Sequence, residues 1–256
     1  LLVAIVGRSN GVMKRFVSVW LPHWRTDLEH HRSRDCATPS EPLVLISEVN
    51  GINRLTSACP NAQALGLRAP MTLTDACALV PTLKIAADNS IFAAKALVKL
   101  ANWATRFTPW VAINGTDGLW LDITGCSDLF GGEGALLDRL RQGLARFNVT
   151  AHVAVADTAG AAWAMTHFTT NDGIPPSKNR ASLTPLPVAA LRLETSIVKN
   201  LKLMGLSHIG DLLSLPRASL SERFGDKLLV RLDQALGMIP EPISPRRPIS
   251  TFIVRH

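Results

Sequence analysis

The residues best suited to binding chemistry lie late in the chain. Leu201-Lys-Leu-Met-Gly-Leu-Ser-His-Ile-Gly-Asp-Leu212 reads as the end of one helix, a glycine-bearing turn and a second helix that Ser207 is placed to cap. A helix-hairpin-helix of this kind meets a DNA phosphate through its turn amides and the second helix's N-terminus. Gly205, Ser207, His208 and Gly210 are the turn candidates, and Lys199, Lys202, Arg223 and Arg231 supply charge nearby. An ordinary helical hairpin with glycine in its turn fits the same residues. Charge placement favours the anion-binding reading. Residues 178–256 hold 12 Lys/Arg against 6 Asp/Glu, whereas residues 1–177 hold 15 against 14. A local basic excess suits nucleic acid, and a solvated basic surface is its bland alternative.

Other constellations are weaker. Gly125-Cys-Ser-Asp-Leu-Phe-Gly131-Gly132-Glu133-Gly134 opens a helix but lacks the lysine of a phosphate loop and the spacing of a dinucleotide fingerprint, so it reads as a structural turn. His23, His30 and His31 with Asp27 read as an exposed polar helix face rather than a metal site. Cys36, Cys59, Cys77 and Cys126 show no CxxC pairing, which argues against structural zinc and disulfides and for free thiols in a reducing cytoplasm. Serine-hydrolase and cysteine-protease signatures are absent, no tyrosine is present, and no metal or cofactor is expected. The longest apolar run, Leu1 to Val6, is far short of the ~20 residues of a membrane helix. No membrane partner is expected.

The positioning elements follow from periodicity. The chain's 256 residues, 47% hydrophobic, suit two or three small domains with real cores. Residues 1–13 form an N-terminal extension, with Met13 the expected natural start. Phe16 to Leu21 is a buried strand stopped by Pro22, and Pro42 to Glu48 is a second, followed by an Asn50-Gly51 turn. Short helices are expected at Asn61–Leu67 and Thr74–Leu79. A longer one spans Ser90–Thr105 with Ser90 as its cap. Val111–Ile113 and Leu119–Ile123 form a hairpin, Gly134–Phe147 and Gly160–Phe168 are helices, and Ala151–Ala156 is a strand between them. Mixed strands and helices with intruding hairpins predict an α+β fold. Residues 169–187 carry four prolines and read as a linker. Residues 188–240 read as a helical unit, with Ser219 and Glu222 spaced as a capping box and Gly225 and Gly237 as C-caps. Residues 241–256 end in a strand-like segment with nothing after it to pair with, which predicts a missing further domain.

Several of these segments together resemble Y-family DNA polymerases. Gly115-Thr-Asp117-Gly118-Leu-Trp-Leu-Asp122-Ile-Thr resembles that family's Ser-Ile-Asp-Glu-Ala-Phe-Leu-Asp hairpin. Ala58-Cys-Pro60-Asn-Ala-Gln63-Ala-Leu-Gly66 resembles its Tyr-Glu-Ala-Arg fingers motif, and Val153 to Ala159 resembles the palm strand leading to a triphosphate-binding lysine. The resemblance implies a palm from residues 14–22 and 89–168, a fingers insertion over 23–88, and a helix-hairpin-helix thumb over 188–240. It also implies that the missing domain is a little finger.

The departures are systematic. The family's two Mg²⁺ ions need three carboxylates. Here the first position falls at Trp20 or Leu21, the second keeps Asp117 and the third is Gly118. The fingers tyrosine and arginine become Pro60 and Gln63, and the palm lysine becomes Ala159. The stretches Trp20–Trp24, Gly118–Glu133 and Ala154–Ala164 resemble the non-catalytic ImuB subfamily. That resemblance implies a DNA-binding scaffold of damage-induced translesion synthesis. Its implied partners are the sliding clamp, a RecA-like accessory protein and an error-prone replicative-type polymerase. Two alternatives stand beside it. One is an active polymerase whose Mg²⁺ ligands have moved to Asp117, Asp122 or Asp128. The other is a small-molecule enzyme on an unrelated α+β fold.

Overall fold

The computed structural model describes residues 13–32 and 41–245. The expectations for residues 1–12, Cys36 and the terminal strand-like segment lie outside those residues.

The first sheet has the order β5-β6-β1-β7, built from β1 (Phe16–Trp20), β5 (Val111–Asn114), β6 (Gly118–Asp122) and β7 (His152–Ala156). β1 lies in its centre, antiparallel to both β6 and β7. Strand alternation sorts its side chains. Val17 and Val19, with Leu21 just beyond the strand, pack into a core shared with α4 (Ser90–Ala104) and α5 (Glu133–Ala145). Ser18 faces the other way, its hydroxyl 3.3 Å from that of Thr166 on α6 (Ala159–Phe168). The cap of α4 is Asn89 rather than Ser90, its Oδ1 accepting the Phe92 N–H at 2.9 Å.

A second sheet, β3-β2-β4, is inserted between β1 and α4. β2 (Leu43–Val49) turns through Asn50 and Gly51, both at positive φ, into β3 (Ile52–Ala58). β4 (Lys84–Ala87) joins β2 in parallel. α2 (Pro60–Ala64) and α3 (Leu73–Leu79) cover it. α1 (Trp24–Arg32) leads out of the first sheet toward this insertion, and its polar face is not solvated as expected. Thr26, Asp27 and Glu29 are buried, and Asp27 accepts the Thr150 N–H at 2.7 Å.

Residues 169–187 are not a free linker. Ile174, Leu183 and Leu186 are buried in a core shared with α6 and the outer face of β7. The Ile174 N–H donates to the Val155 carbonyl at 2.7 Å. Gly173 permits this approach, since a Cβ there would lie 2.4 Å from the Val155 oxygen. The same core takes in α7 (Asn179–Leu183), α8 (Thr195–Leu203), α9 (Ile209–Leu213), α10 (Arg217–Phe224) and α11 (Asp226–Leu236). Ser219 and Glu222 lie inside α10 and form no capping box. Gly225 and Gly237 end α10 and α11 at positive φ. No helix of the described residues is long and apolar enough to cross a membrane.

Candidate nucleic-acid interface and the altered carboxylate site

The β5–β6 turn delivers Asp117 to the Trp20 end of β1. Trp20 pairs with Gly118 across the strands, and the Leu21 N–H donates to the Asp117 carbonyl at 2.8 Å. The Trp20 indole N–H donates to Asp117 Oδ2 at 3.1 Å. Trp20, not Leu21, therefore occupies the position facing the retained carboxylate, because Leu21 is fully buried in the opposite core. Burial pushes the Asp117 carboxyl above the usual range, while the indole N–H and the Arg25 guanidinium pull it back.

An aromatic column fills this face. The His167 ring stacks between Trp20 (centroids 4.1 Å) and Trp163 (3.9 Å). Its Nδ1 lies 2.9 Å from both the Trp163 carbonyl and the Thr166 hydroxyl. Burial among these rings lowers the His167 pKa to about 4. Arg192 lies over both Trp120 and Trp163 and is held by Glu241 at 2.7 Å.

The other expected site positions do not converge here. Ala159 follows the Phe16 end of β1, where Phe16 pairs with Ala156 and with Asp122. That end is four rungs from Trp20, roughly 13 Å at about 3.3 Å per residue. Asp122 is thus too far from Asp117 to share an ion with it, and its Oδ1 instead accepts the Thr124 N–H at 3.0 Å. Pro60 and Gln63 lie on α2 in the second sheet unit, with Gln63 Nε2 bonded to the Ala58 carbonyl at 2.9 Å. Exposed Arg68 sits in the same cleft as Gln63, a cation the motif comparison passed over. The two Mg²⁺ ions of an active polymerase do not fit this site. One carboxylate oxygen is already taken by an indole N–H, Gly118 has no side chain, and no group of three His, Cys, Asp or Glu among the described residues could hold a metal ion.

A charged cluster that the sequence did not single out closes the far end. Arg15 makes a bidentate pair with Glu133 (2.7 Å to each oxygen), a 2.6 Å pair with Asp157 and a 2.9 Å bond to the Ile174 carbonyl. These contacts tie β1 to α5, to the end of β7 and to the strap after α6.

The helical hairpin differs from expectation in its turn amides. α8 ends in a Schellman motif, with the Gly205 N–H on the Lys202 carbonyl and the Leu206 N–H on that of Leu201. Ser207 and His208 both donate to Asp211 Oδ2, at 2.9 and 2.8 Å. Ser207 is not the cap; His208 precedes α9. Ile209 donates to Leu186 and Gly210 to Thr184. Gly210 is needed for packing, since a Cβ would meet Thr184 Cγ2 at 2.9 Å. Every amide from Gly205 to Asp211 already has a protein partner, so the turn offers none to a phosphate. Arg231 is likewise engaged, with Glu241 at 2.9 Å. Lys199 and Lys202 on α8 and Arg223 on α10 are exposed and carry no ion pair among the described residues.

The impB/mucB/samB family matches residues 29–167, more than half of the chain. Protein ImuB of Caulobacter vibrioides (strain NA1000 / CB15N) is 47% identical over 192 residues, covering 75% of this chain and 42% of that protein. DNA polymerase IV of Dehalococcoides mccartyi (strain CBDB1) is 23% identical over 194 residues, covering 74% of this chain and 50% of that protein. The crystal structure of DinB from Sulfolobus solfataricus superposes with a TM-score of 0.76 at 18% identity, covering 90% of this chain and 69% of that one. The chain thus spans about half or less of the length of these curated relatives. Its α+β architecture is the palm-and-fingers fold of Y-family polymerases, which removes the reading as an enzyme on an unrelated fold. The family match covers more than half of the chain, and the chain belongs to the impB/mucB/samB family.

Proposed function

We propose that this chain is a non-catalytic, DNA-binding scaffold of damage-induced translesion synthesis, acting in the cytoplasm. The observation that carries the reading is the Trp20 indole bonded to Asp117 beside Gly118. Two of the three positions needed to clamp metal ions hold no carboxylate, and the aromatic column fills the adjacent space. In this reading the first sheet is the palm, the second the fingers and the C-terminal helices the thumb. DNA contact comes from the side chains of Lys199, Lys202 and Arg223, not from the turn amides. The proposed protein partners are a sliding clamp, a RecA-like accessory protein and an error-prone replicative-type polymerase. The 47% identity to a protein named ImuB supports this choice over an active polymerase.

Primer extension with Mg²⁺ or Mn²⁺ tests the catalytic half: no incorporation is expected. Incorporation that disappears in Asp117→Ala overturns it. The DNA half is tested by salt titration of binding to duplexes of different sequence. Lys199→Ala/Lys202→Ala should weaken all of them alike and lower the log–log salt slope by about 1.8, at about 0.9 per phosphate contact. An unchanged affinity and slope make these lysines a solvated helix face. Pull-down of the protein with the sliding clamp tests the partner assignment.

A further inference from the structure

We propose that the groove between the C-terminal halves of α4 and α5 docks an acidic peptide segment of a partner protein. The segment would carry an aromatic or leucine anchor between carboxylates. The groove encloses ≈ 490 Å³. Its floor is the Trp103 ring, which lies flush against α5 because residue 143 is glycine: a Cβ there would sit 2.3 Å from Trp103 Cζ2. Phe107 and Phe147 meet Trp103 edge-on, at 5.4 and 5.2 Å between centroids, and Phe130 adjoins Phe107. Phe147 is 43% exposed, so this aromatic wall is open to an incoming apolar side chain.

Charge names the occupant. Arg106, Arg139 and Arg146 line the groove and no carboxylate among the described residues does. All three are exposed, and none has an ion-pair partner among the described residues. Arg139 on α5 and Arg146, its C-cap, stand seven residues apart, roughly 10 Å at about 1.5 Å per residue. An extended peptide at about 3.3 Å per residue covers that distance in about three residues, so a short segment spans both arginines with its anchor between its acidic residues. Exposed ion pairs contribute little, so the anchor supplies most of the affinity and the arginines supply selectivity. Single-stranded nucleic acid fits less well. The Arg106 guanidinium covers the Trp103 face at 5.1 Å and that of Arg139 covers Phe130 at 5.7 Å, which leaves exposed Phe147 to meet a single apolar anchor and no run of open ring faces on which successive bases could stack. The groove also belongs to the α4–α5 side of the sheet, opposite the Trp20 column.

The experiment is selection of displayed random dodecapeptides on the intact chain, followed by anisotropy measurements with the selected consensus as a labelled synthetic peptide. The expected consensus has an aromatic or leucine residue flanked by Asp or Glu. Arg139→Glu/Arg146→Glu should weaken it by about 30-fold or more, and Phe147→Ser by about 10-fold, with unchanged circular dichroism. No enrichment, a consensus without acids, or binding indifferent to the charge reversal overturns the proposal. Oligo(dT) binding that is lost in Arg139→Glu/Arg146→Glu also overturns it, in favour of a nucleic-acid surface.

Discussion

Replacing Trp20 by phenylalanine keeps an aromatic ring against His167 and removes one hydrogen-bond donor. That donor is the indole N–H on Asp117 Oδ2, 3.1 Å away. A hydrogen bond to a charged group is worth about 1.5–3 kcal/mol. Asp117 is half-buried, so water replaces part of the loss and about 1 kcal/mol remains at neutral pH. For a chain of this size that is a fall in Tm of about 3 °C. The pH dependence separates this loss from that of the smaller ring. Burial raises the Asp117 pKa in the folded state, with the indole and Arg25 opposing it. A raised carboxyl pKa contributes stability that is complete below the unfolded value, about 3.9, and is lost as pH rises through the folded value. Removing the indole raises the folded value further, so the variant loses more on the alkaline side. The penalty of Trp20→Phe should therefore grow by about 1 kcal/mol between pH 4 and pH 7. Thermal melts of the parent, Trp20→Phe, Asp117→Ala and the double variant across that range measure it. In the Asp117→Ala background the pH-dependent part should vanish. A penalty that is flat with pH, or one that survives in the Asp117→Ala background, refutes the hydrogen bond as the link.

The His167 ring protons should titrate with a midpoint of about 4 by NMR. The stability His167 contributes is then complete above its unfolded pKa of about 6.5 and is lost as pH falls through about 4. Gly118→Glu combined with Trp20→Asp should not restore nucleotide incorporation in primer extension. A Cβ at residue 118 lies 3.1 Å from two backbone oxygens, and melts should show a loss of about 1–3 kcal/mol. Arg15→Met should lower Tm by about 6 °C, since it leaves two carboxylates and the Ile174 carbonyl without their donor. This corresponds to about 2–3 kcal/mol, below the fully buried case because Glu133 and Asp157 keep some exposure. Gly143→Ala should evict the Trp103 ring from α5 and shift the tryptophan emission, at a cost of about 1–3 kcal/mol.

What could be read in advance tracks how local each determinant is. β1 and α4 announce themselves through the periods of strand and helix, although of the spaced series Ile91, Ala94, Leu97, Val98 and Ala101 only Leu97 and Ala101 are buried, the core face of α4 being completed by Ala93, Leu100 and Ala104. Gly225 and Gly237 mark helix ends because the positive φ they adopt belongs to glycine. The strap at 169–187 escapes this reading. Its prolines dominate its composition, and Ile174, Leu183 and Leu186 are too sparse to show a period. The close approach of Gly173 to Val155 and the burial of these three side chains reveal that it packs. The hairpin amides show the same limit: residue types name the donors, whereas the acceptors Leu186 and Thr184 come from a segment read as a linker. Asp211, three residues beyond His208, was the one local sign that the Ser207 and His208 amides were already claimed.

The altered carboxylate site combines both kinds of information. Loss of ligands is visible in residue types alone, since neither Gly118 nor a residue at position 20 or 21 can bind a metal ion. Strand alternation then selects Trp20 over Leu21, because Leu21 continues the inward series of Val17 and Val19. What the sequence could not convey is that the vacated side is packed. Trp20, His167, Trp163 and Arg192 come from β1, α6 and the turn before α8, and they meet only after the sheet and helices assemble. Restoring two carboxylates would thus set charges against stacked rings and crowd two backbone oxygens at residue 118. Carboxylates at these two positions are therefore opposed by packing as well as missing from the sequence, on β1 at Trp20 and on β6 at Gly118.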